Sequence, residues 1–249
     1  MKKSLLFCLM TITSIFASKD SFAQDTLFVY GPGGPLSAMK ACADAFSKKS
    51  GILVKVTGGP DKNWLEQAKV NADLIYGGAS YMLTQFAQAH PGMIDAKTRV
   101  ELYSRAAGIL VRPGNPKKIH RLEDLAKAGI KLLDVNGAGQ LGMWEDIAGR
   151  TGLIAEIGQN IKGSYANTAL GIQAWKEDQS YDAWISFSSW HNNLPDITEL
   201  VPLSAKLDLV RGTPIAITSG SRNRKSAQEL IDFLQTPSGH EIFRKWGWR

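Results

Sequence analysis

Leu27-Phe-Val-Tyr-Gly-Pro-Gly-Gly-Pro-Leu-Ser-Ala-Met39 is the stretch on which the rest of the chain is read. A short apolar run stops at Gly31, and a helical pattern takes over from Leu36. The glycine- and proline-rich turn between them leaves backbone N–H groups bare at a helix N-terminus, where they can hold an anion. The GxGxxG pattern is not completed and no P-loop lysine follows, so the turn by itself also fits a plain strand-to-helix connection. Its neighbours have to decide.

Working outward, the alternation repeats: an apolar run over Leu27 to Tyr30, a helix from Leu36 to Lys48, a run over Ile52 to Val56, a helix from about Trp64, and a run over Ala72 to Tyr76. Such alternation predicts an α/β chain with a largely parallel sheet. Leu36, Met39, Ala43 and Phe46 recur at three- and four-residue spacing, a stripe to bury against that sheet. A second block opens with Ala106 to Val111, turns at Arg112-Pro-Gly-Asn-Pro116, and continues through a helix around Leu122 to Ala128 into a strand over Ile130 to Val135. A helix with Leu141, Trp144 and Ile147 on one side follows, then a helix near Ala169 to Lys176 and strands over Asp182 to Phe187 and Leu207 to Val210. Leu230, Ile231 and Leu234, then Ile242, Phe243 and Trp246, give the tail two packing stripes. No linker-like segment separates the blocks. A two-lobed body is expected, with the chain crossing near Arg105 and near Val201 to Arg211.

The N-terminus reads as a secretory leader: Lys2 and Lys3, an uncharged stretch from Ser4 to Ser18, then Ser21-Phe-Ala23 with small residues where a signal peptidase cuts. Its apolar part is too short for a membrane span. Cleavage after Ala23 removes Lys2, Lys3, Lys19 and Asp20 and lowers the formal charge from +6 to +4. That surplus favours anionic solutes slightly, and its dispersal, with only Arg222-Asn-Arg224-Lys225 clustered, excludes a nucleic-acid footprint. Cys8 falls inside the leader, so Cys42 stands alone, precludes an intramolecular disulfide, and reads as a small buried thiol.

Four segments share one design, a strand running into a glycine-rich or polar turn: Gly31 to Ser37, Gly58 to Asn63, Gly77 to Ser80 and Asn136 to Gln140. In open α/β sheets such turns gather at the carboxyl ends of strands, where ligands lie. Gly33, Gly34 and Gly139 let a ligand approach the main chain. Ser37, Asn63, Ser80 and Gln140 offer polar side chains beside helix N-termini, and Asp61 and Lys62 sit in the second turn. Helix capping competes for each of these residues singly, and anion binding accounts better for the set. Arg105 and Arg211, at the two crossings, are placed to hold a charged oxygen pair, with surface ion pairing as the alternative. Asn167, Thr168 and Ser186 would face the cleft from the second lobe. Trp64, Trp144, Trp184 and Trp190 either line its walls or pack in the core.

Signals for catalysis are weak. His90, His120, His191 and His240 are scattered without zinc spacing, and no Gly-x-Ser-x-Gly elbow is present. Glu145 and Asp146 are adjacent on one helix and diverge, which reads as a solvated first turn favoured by the helix dipole. A binding module without metal or cofactor is the expectation.

Tyr30-Gly-Pro-Gly-Gly-Pro35, Thr57-Gly-Gly-Pro60 with Trp64, Ala72-Asp-Leu-Ile-Tyr-Gly-Gly78, Arg112-Pro-Gly-Asn-Pro116, Val135-Asn-Gly-Ala-Gly-Gln140, Trp144-Glu-Asp-Ile-Ala-Gly-Arg150, Asp182-Ala-Trp184 and Gly247-Trp248 together resemble the accessory colonization factor AcfC family, over essentially the mature chain. That family is similar to the molybdate- and sulfate-binding type II periplasmic solute-binding proteins. The resemblance implies a two-lobed α/β clamp, each lobe a mixed sheet flanked by helices, with two crossover strands. The implied boundaries are a signal peptide over 1–23, one lobe from 24–105 plus 206–249, and the other from 106–205. It also implies a non-catalytic receptor in the periplasm, or at the cell surface, that closes on a small oxyanion, phosphorylated metabolite or carboxylate. A transporter permease, a host surface and a second copy of the chain are further partners this reading admits, and a surface adhesin with a vestigial cleft is its alternative. The molybdate receptors' first serine ligand falls near Gly34 and their tyrosine ligand near Ser186, which points to a different, larger anion.

Overall fold

Side chains on the first strand alternate between two cores, and that alternation organises one end of the molecule. The computed structural model describes residues 26–249, so the leader reading lies outside the described residues. β1 (Thr26–Gly31) sends Leu27 and Val29 to one face and Phe28 and Tyr30 to the other, as the two-residue strand period requires. β2 (Leu53–Gly58) and β3 (Leu74–Tyr76) flank it in parallel. α1 (Leu36–Ser50) buries Met39, Cys42, Ala43 and Phe46. Of the expected stripe only Leu36, at the first turn, is incompletely covered. Cys42 is fully buried, which pushes its thiol up to about 12. α2 (Leu65–Asn71) and α3 (Ser80–Ala89) cover the opposite face, where Trp64 stacks between Tyr30 and Phe86.

β4 (Val100–Val111) then leaves this sheet for a second one. Beyond it come β5 (Leu132–Val135), α4 (Met143–Gly149), α5 (Ile154–Asn160), β6 (Ile161–Tyr165), α6 (Thr168–Glu177), β7 (Ala183–Phe187), α7 (Ser189–Asn193) and β8 (Glu199–Pro202). β9 (Val210–Ile217) returns, and α8 (Arg224–Leu234) and α9 (Pro237–Lys245) close on the first core. The strand order is β2-β1-β3-β9-β4-β7-β5-β6, with β8 beside β4. β4 pairs with β9 up to Ala106 and with β7 from Ala107, so it changes partner between adjacent residues.

The expectation of a largely parallel sheet needs correction. Four strand pairs are parallel, and the four made by β4 and β9 with each other or with β3, β7 and β8 are antiparallel. A strand that passes directly between sheets has no crossover helix to restore parallel direction. Three local readings also change. Leu122 to Ala126 forms a 3₁₀ turn instead of a longer helix, Leu141 lies outside α4 and is half-exposed, and the strand expected at Leu207 begins at Val210.

Within each sheet the parallel strands end on the same side: β1, β2 and β3 at Gly31, Gly58 and Tyr76, and β5, β6 and β7 at Val135, Tyr165 and Phe187. The turns after them come together between the two sheets. This fixes where a ligand site can form.

Candidate functional site

A cavity of about 170 Å³ opens between those turns. Gly33 and Gly34 before α1, Met82 in the first turn of α3 and Asn167, Thr168 and Ala169 at the start of α6 line it, so three helices present their N-terminal ends to one space. Each contributes partial positive charge there. Pro32, Pro60, Ile172 and Trp190 supply apolar wall, and Ala138 closes the far side. Asp61 is the acidic residue in the lining, and burial, offset in part by His90, pushes its carboxyl above the usual range.

Arg105 stands directly behind this wall. It is 1% exposed, and β4 pairs it with Arg211 of β9 across the antiparallel ladder. Its Nη2 donates to the carbonyl of Gly78, while Nε and Nη1 are buried with no hydrogen-bond partner among the described residues. The guanidinium carbon lies 3.8 Å from the Phe187 ring centroid and 5.0 Å from that of Trp248. Glycines make this packing possible: a Cβ on Gly34 would come within 2.8 Å of Nη1, and one on Gly139 within 3.4 Å of Nη2 and 3.0 Å of the Gly78 carbonyl. Desolvation, followed by the nearby Arg211 charge, pulls the guanidinium pKa down to about 9, which still leaves it cationic at neutral pH.

Arg211 bridges the two sheets. Its Nη1 donates to the Gly139 carbonyl at 2.8 Å, Nη2 reaches Asp146 at 3.4 Å, and the guanidinium lies over the Tyr81 ring. Tyr81 in turn donates to the carbonyl of Ala138. Gln140, itself buried, accepts a hydrogen bond from the Ser186 hydroxyl at 2.7 Å through Oε1 and donates one from Nε2 to the Thr168 hydroxyl at 3.0 Å, which braces the turn after β5 against α6 and β7.

The sequence-derived residues therefore divide. Gly33, Gly34, Asp61, Asn167 and Thr168 line the cavity; Arg105, Arg211, Gly139, Gln140 and Ser186 form the layer behind it. Asn167 also caps α6 by accepting from the amide of Leu170. Ser80 points to Glu101 at 3.0 Å, and Ser37 donates across to Asn193 of α7 at 2.6 Å. Lys62 and Asn63 are exposed and do not line the cavity. Among the tryptophans, Trp190 lines the cleft, whereas Trp64 and Trp184 pack in cores and Trp144 lies against the second core. The reading of Glu145 as solvated is corrected: burial pushes its carboxyl up, and Oε2 is covered without a hydrogen-bond partner among the described residues. Sequence reasoning missed Tyr81, Met82, Phe187 and Trp248. The first two directly follow Ser80 and were within reach of the same turn argument.

Two sheets joined by β4 and β9, with strand ends and helix N-termini facing one cleft, define a receptor clamp for a small solute. The chain belongs to the bacterial extracellular solute-binding protein family, whose pattern matches residues 27–249. It is similar to Peb3 from Campylobacter jejuni, with 32% identity over 90% of this chain and 99% of that one, and a TM-score of 0.82. The likeness to PEB3 with L-phospholactate bound is 33% identity at the same coverages, with a TM-score of 0.83. The sulfate-binding protein SubI from Mycobacterium tuberculosis, 17% identical over 90% of this chain and 86% of that one, shares the fold with a TM-score of 0.73. No curated protein matches the chain. These relations place it among the AcfC- and PEB3-like type II periplasmic binding proteins, which are receptors and not catalysts.

Proposed function

We propose that this protein binds a small organic anion carrying phosphoryl and carboxylate groups, of the size of a phosphorylated three-carbon hydroxy acid. The two halves, 24–105 with 206–249 and 106–205, close on it as lobes. Arg105 carries the reading. A guanidinium removed from water with two unmet donors and no carboxylate is costly unless an anion completes it. Parting the halves along β4 and β9 uncovers Arg105 and Arg211 together, because the two are register partners. The ligand's charged oxygens would then meet these guanidinium groups and the N-terminal turns of α1, α3 and α6. Its carbon skeleton would rest on Met82, Ile172 and Trp190. A cavity of about 170 Å³ exceeds the ~10–15 Å³ that admits one water and leaves room for an organic anion. The similarity to PEB3 with L-phospholactate bound supports the same class.

Binding to L-phospholactate, sulfate and simple carboxylates should be compared by thermal melting. A ligand at a hundredfold excess over its Kd stabilises by about 2.7 kcal/mol, or roughly 5–11 °C for a chain of this size. L-phospholactate is expected to give that shift and sulfate a smaller one. No shift with any phosphorylated or carboxylated anion would overturn the reading in favour of an adhesin with a vestigial cleft. Export by the segment 1–23, delivery to a membrane permease and contact with a host surface complete the proposal.

A further inference from the structure

The last residues of the chain reach back into the middle of the molecule. Trp248 is 4% exposed, its indole Nε1 donates to the buried Thr213 hydroxyl at 2.8 Å, and its ring lies 5.0 Å from the Arg105 guanidinium carbon. The tail is tied on both sides of that ring. The Arg249 amide donates to the carbonyl of Ser104, the residue before Arg105, and the Arg249 guanidinium holds both oxygens of Asp208 at 2.7 and 3.1 Å. Gly247 has φ +90° and sits so close to α7 that a Cβ would fall 2.8 Å from the Ser189 Cα. The tail thus contacts β4, β9 and the second half at once.

We infer that Trp248 is a positioning residue of the ligand site, and that the segment Gly247 to Arg249 sets how strongly Arg105 can grip an anion. With one hydrogen bond, to Gly78, the Arg105 side chain is not fixed by its donors. Its orientation comes from the aromatic faces against it, Phe187 and Trp248, which attract the cation without consuming an N–H group. That leaves Nε and Nη1 free for a ligand. The inference rests on the proposed anion-binding reading, and it adds a specific role for a residue that is not among those lining the cavity.

The test compares W248F, which keeps an aromatic face and loses the indole N–H, with W248L, which keeps apolar bulk and loses the face. Both lose the bond to Thr213, so their ligand-free melting temperatures should fall together. Affinity for L-phospholactate, measured by titration calorimetry, should weaken about 10- to 30-fold in W248L and stay within about threefold of wild type in W248F. Equal affinities for the two variants would overturn the inference. A ligand-free arm keeps it separate from the parent reading: the Arg105 Nε–H resonance, assigned with R105K, should be ring-shifted and slow to exchange in wild type and W248F, and in W248L should keep only the part of the shift due to Phe187 and exchange faster. An Arg105 signal indifferent to W248L refutes Trp248 as its support even if the wild type binds no phospholactate. Failure of the wild type to bind, with the signal responding as stated, would count against the anion reading alone.

Discussion

Arg105 and Arg112 are the same side chain seven positions apart on or just beyond one strand, both laid on an aromatic ring, and they are satisfied in opposite ways. Arg112 stacks 3.7 Å from the Trp175 ring centroid and donates to three carbonyls, those of Tyr181 at 2.8 Å, Trp175 at 2.9 Å and Asp178 at 2.7 Å. Among the described residues Arg105 makes one such bond and has two donor nitrogens without a partner. A half-buried cation whose donors are met, as at Arg112, is a brace for its surroundings. One whose donors are unmet is destabilising until something arrives, and that asymmetry marks a binding position more sharply than charge alone.

The largest expected effect separates the pair. R105M should weaken L-phospholactate binding by more than about a hundredfold. Its ligand-free melting temperature should hold or rise, because an apolar side chain replaces an unpaired buried charge. R112M should do the reverse, leaving the part-buried carbonyls of Tyr181 and Trp175 without their donor while water replaces it at the exposed Asp178 carbonyl, at a cost of about 2 kcal/mol, roughly 4–8 °C, with affinity nearly unchanged. A drop in both melting temperature and affinity for either variant would break the contrast. Next comes R211M, expected to weaken binding about tenfold, since Arg211 keeps bonds to Gly139 and Asp146 and reaches the ligand as a second cation.

Smaller still is D61N. Burial raises the Asp61 carboxyl, so the folded state takes up its proton more readily; that contribution is complete below the unfolded pKa and lost as pH rises through the folded one. Removing the charge should improve anion affinity a fewfold at neutral pH. The ratio of D61N to wild-type affinity should shrink towards one as pH falls into the carboxylate range, since the ligand's own titration is common to both. The smallest expected effect is a control confined to stability. The Lys127 ammonium at 2.6 Å and the amides of His120 and Arg121 hold the Asp124 carboxyl down at about 2. Its stabilisation is present above the unfolded pKa and lost as pH falls through about 2. D124N should lower neutral-pH stability by about 1 kcal/mol, a figure discounted for the exposed Lys127, and leave binding untouched.

Much of the fold was legible because local pattern and tertiary packing agree along β1, α1, β3 and β7, where apolar period and glycine stops coincide with the observed elements. α5 and β6 went unread for a physical reason: they abut without a breaker, Asn160 to Ile161, and Gly163 interrupts the strand's apolar alternation. That glycine is required by a contact remote in sequence, since a Cβ there would fall 2.0 Å from the Tyr181 hydroxyl. The site shows the same limit. Turns rich in glycine could be singled out from the chain, but whether a serine beside one aims inward depends on partners such as Asn193 for Ser37 and Glu101 for Ser80. Phe187 and Trp248 carried no local sign of their place beside Arg105, because only the folded topology brings β7 and the tail to β4.

β4 belongs to both sheets, with β9 along its first part and β7 and β8 along its last. Neither half can therefore lose its sheet without stripping hydrogen bonds from a strand the other needs. In a calorimeter the protein should give a single endotherm, and a nick between Ala106 and Ala107 should yield no fragment that refolds unaided.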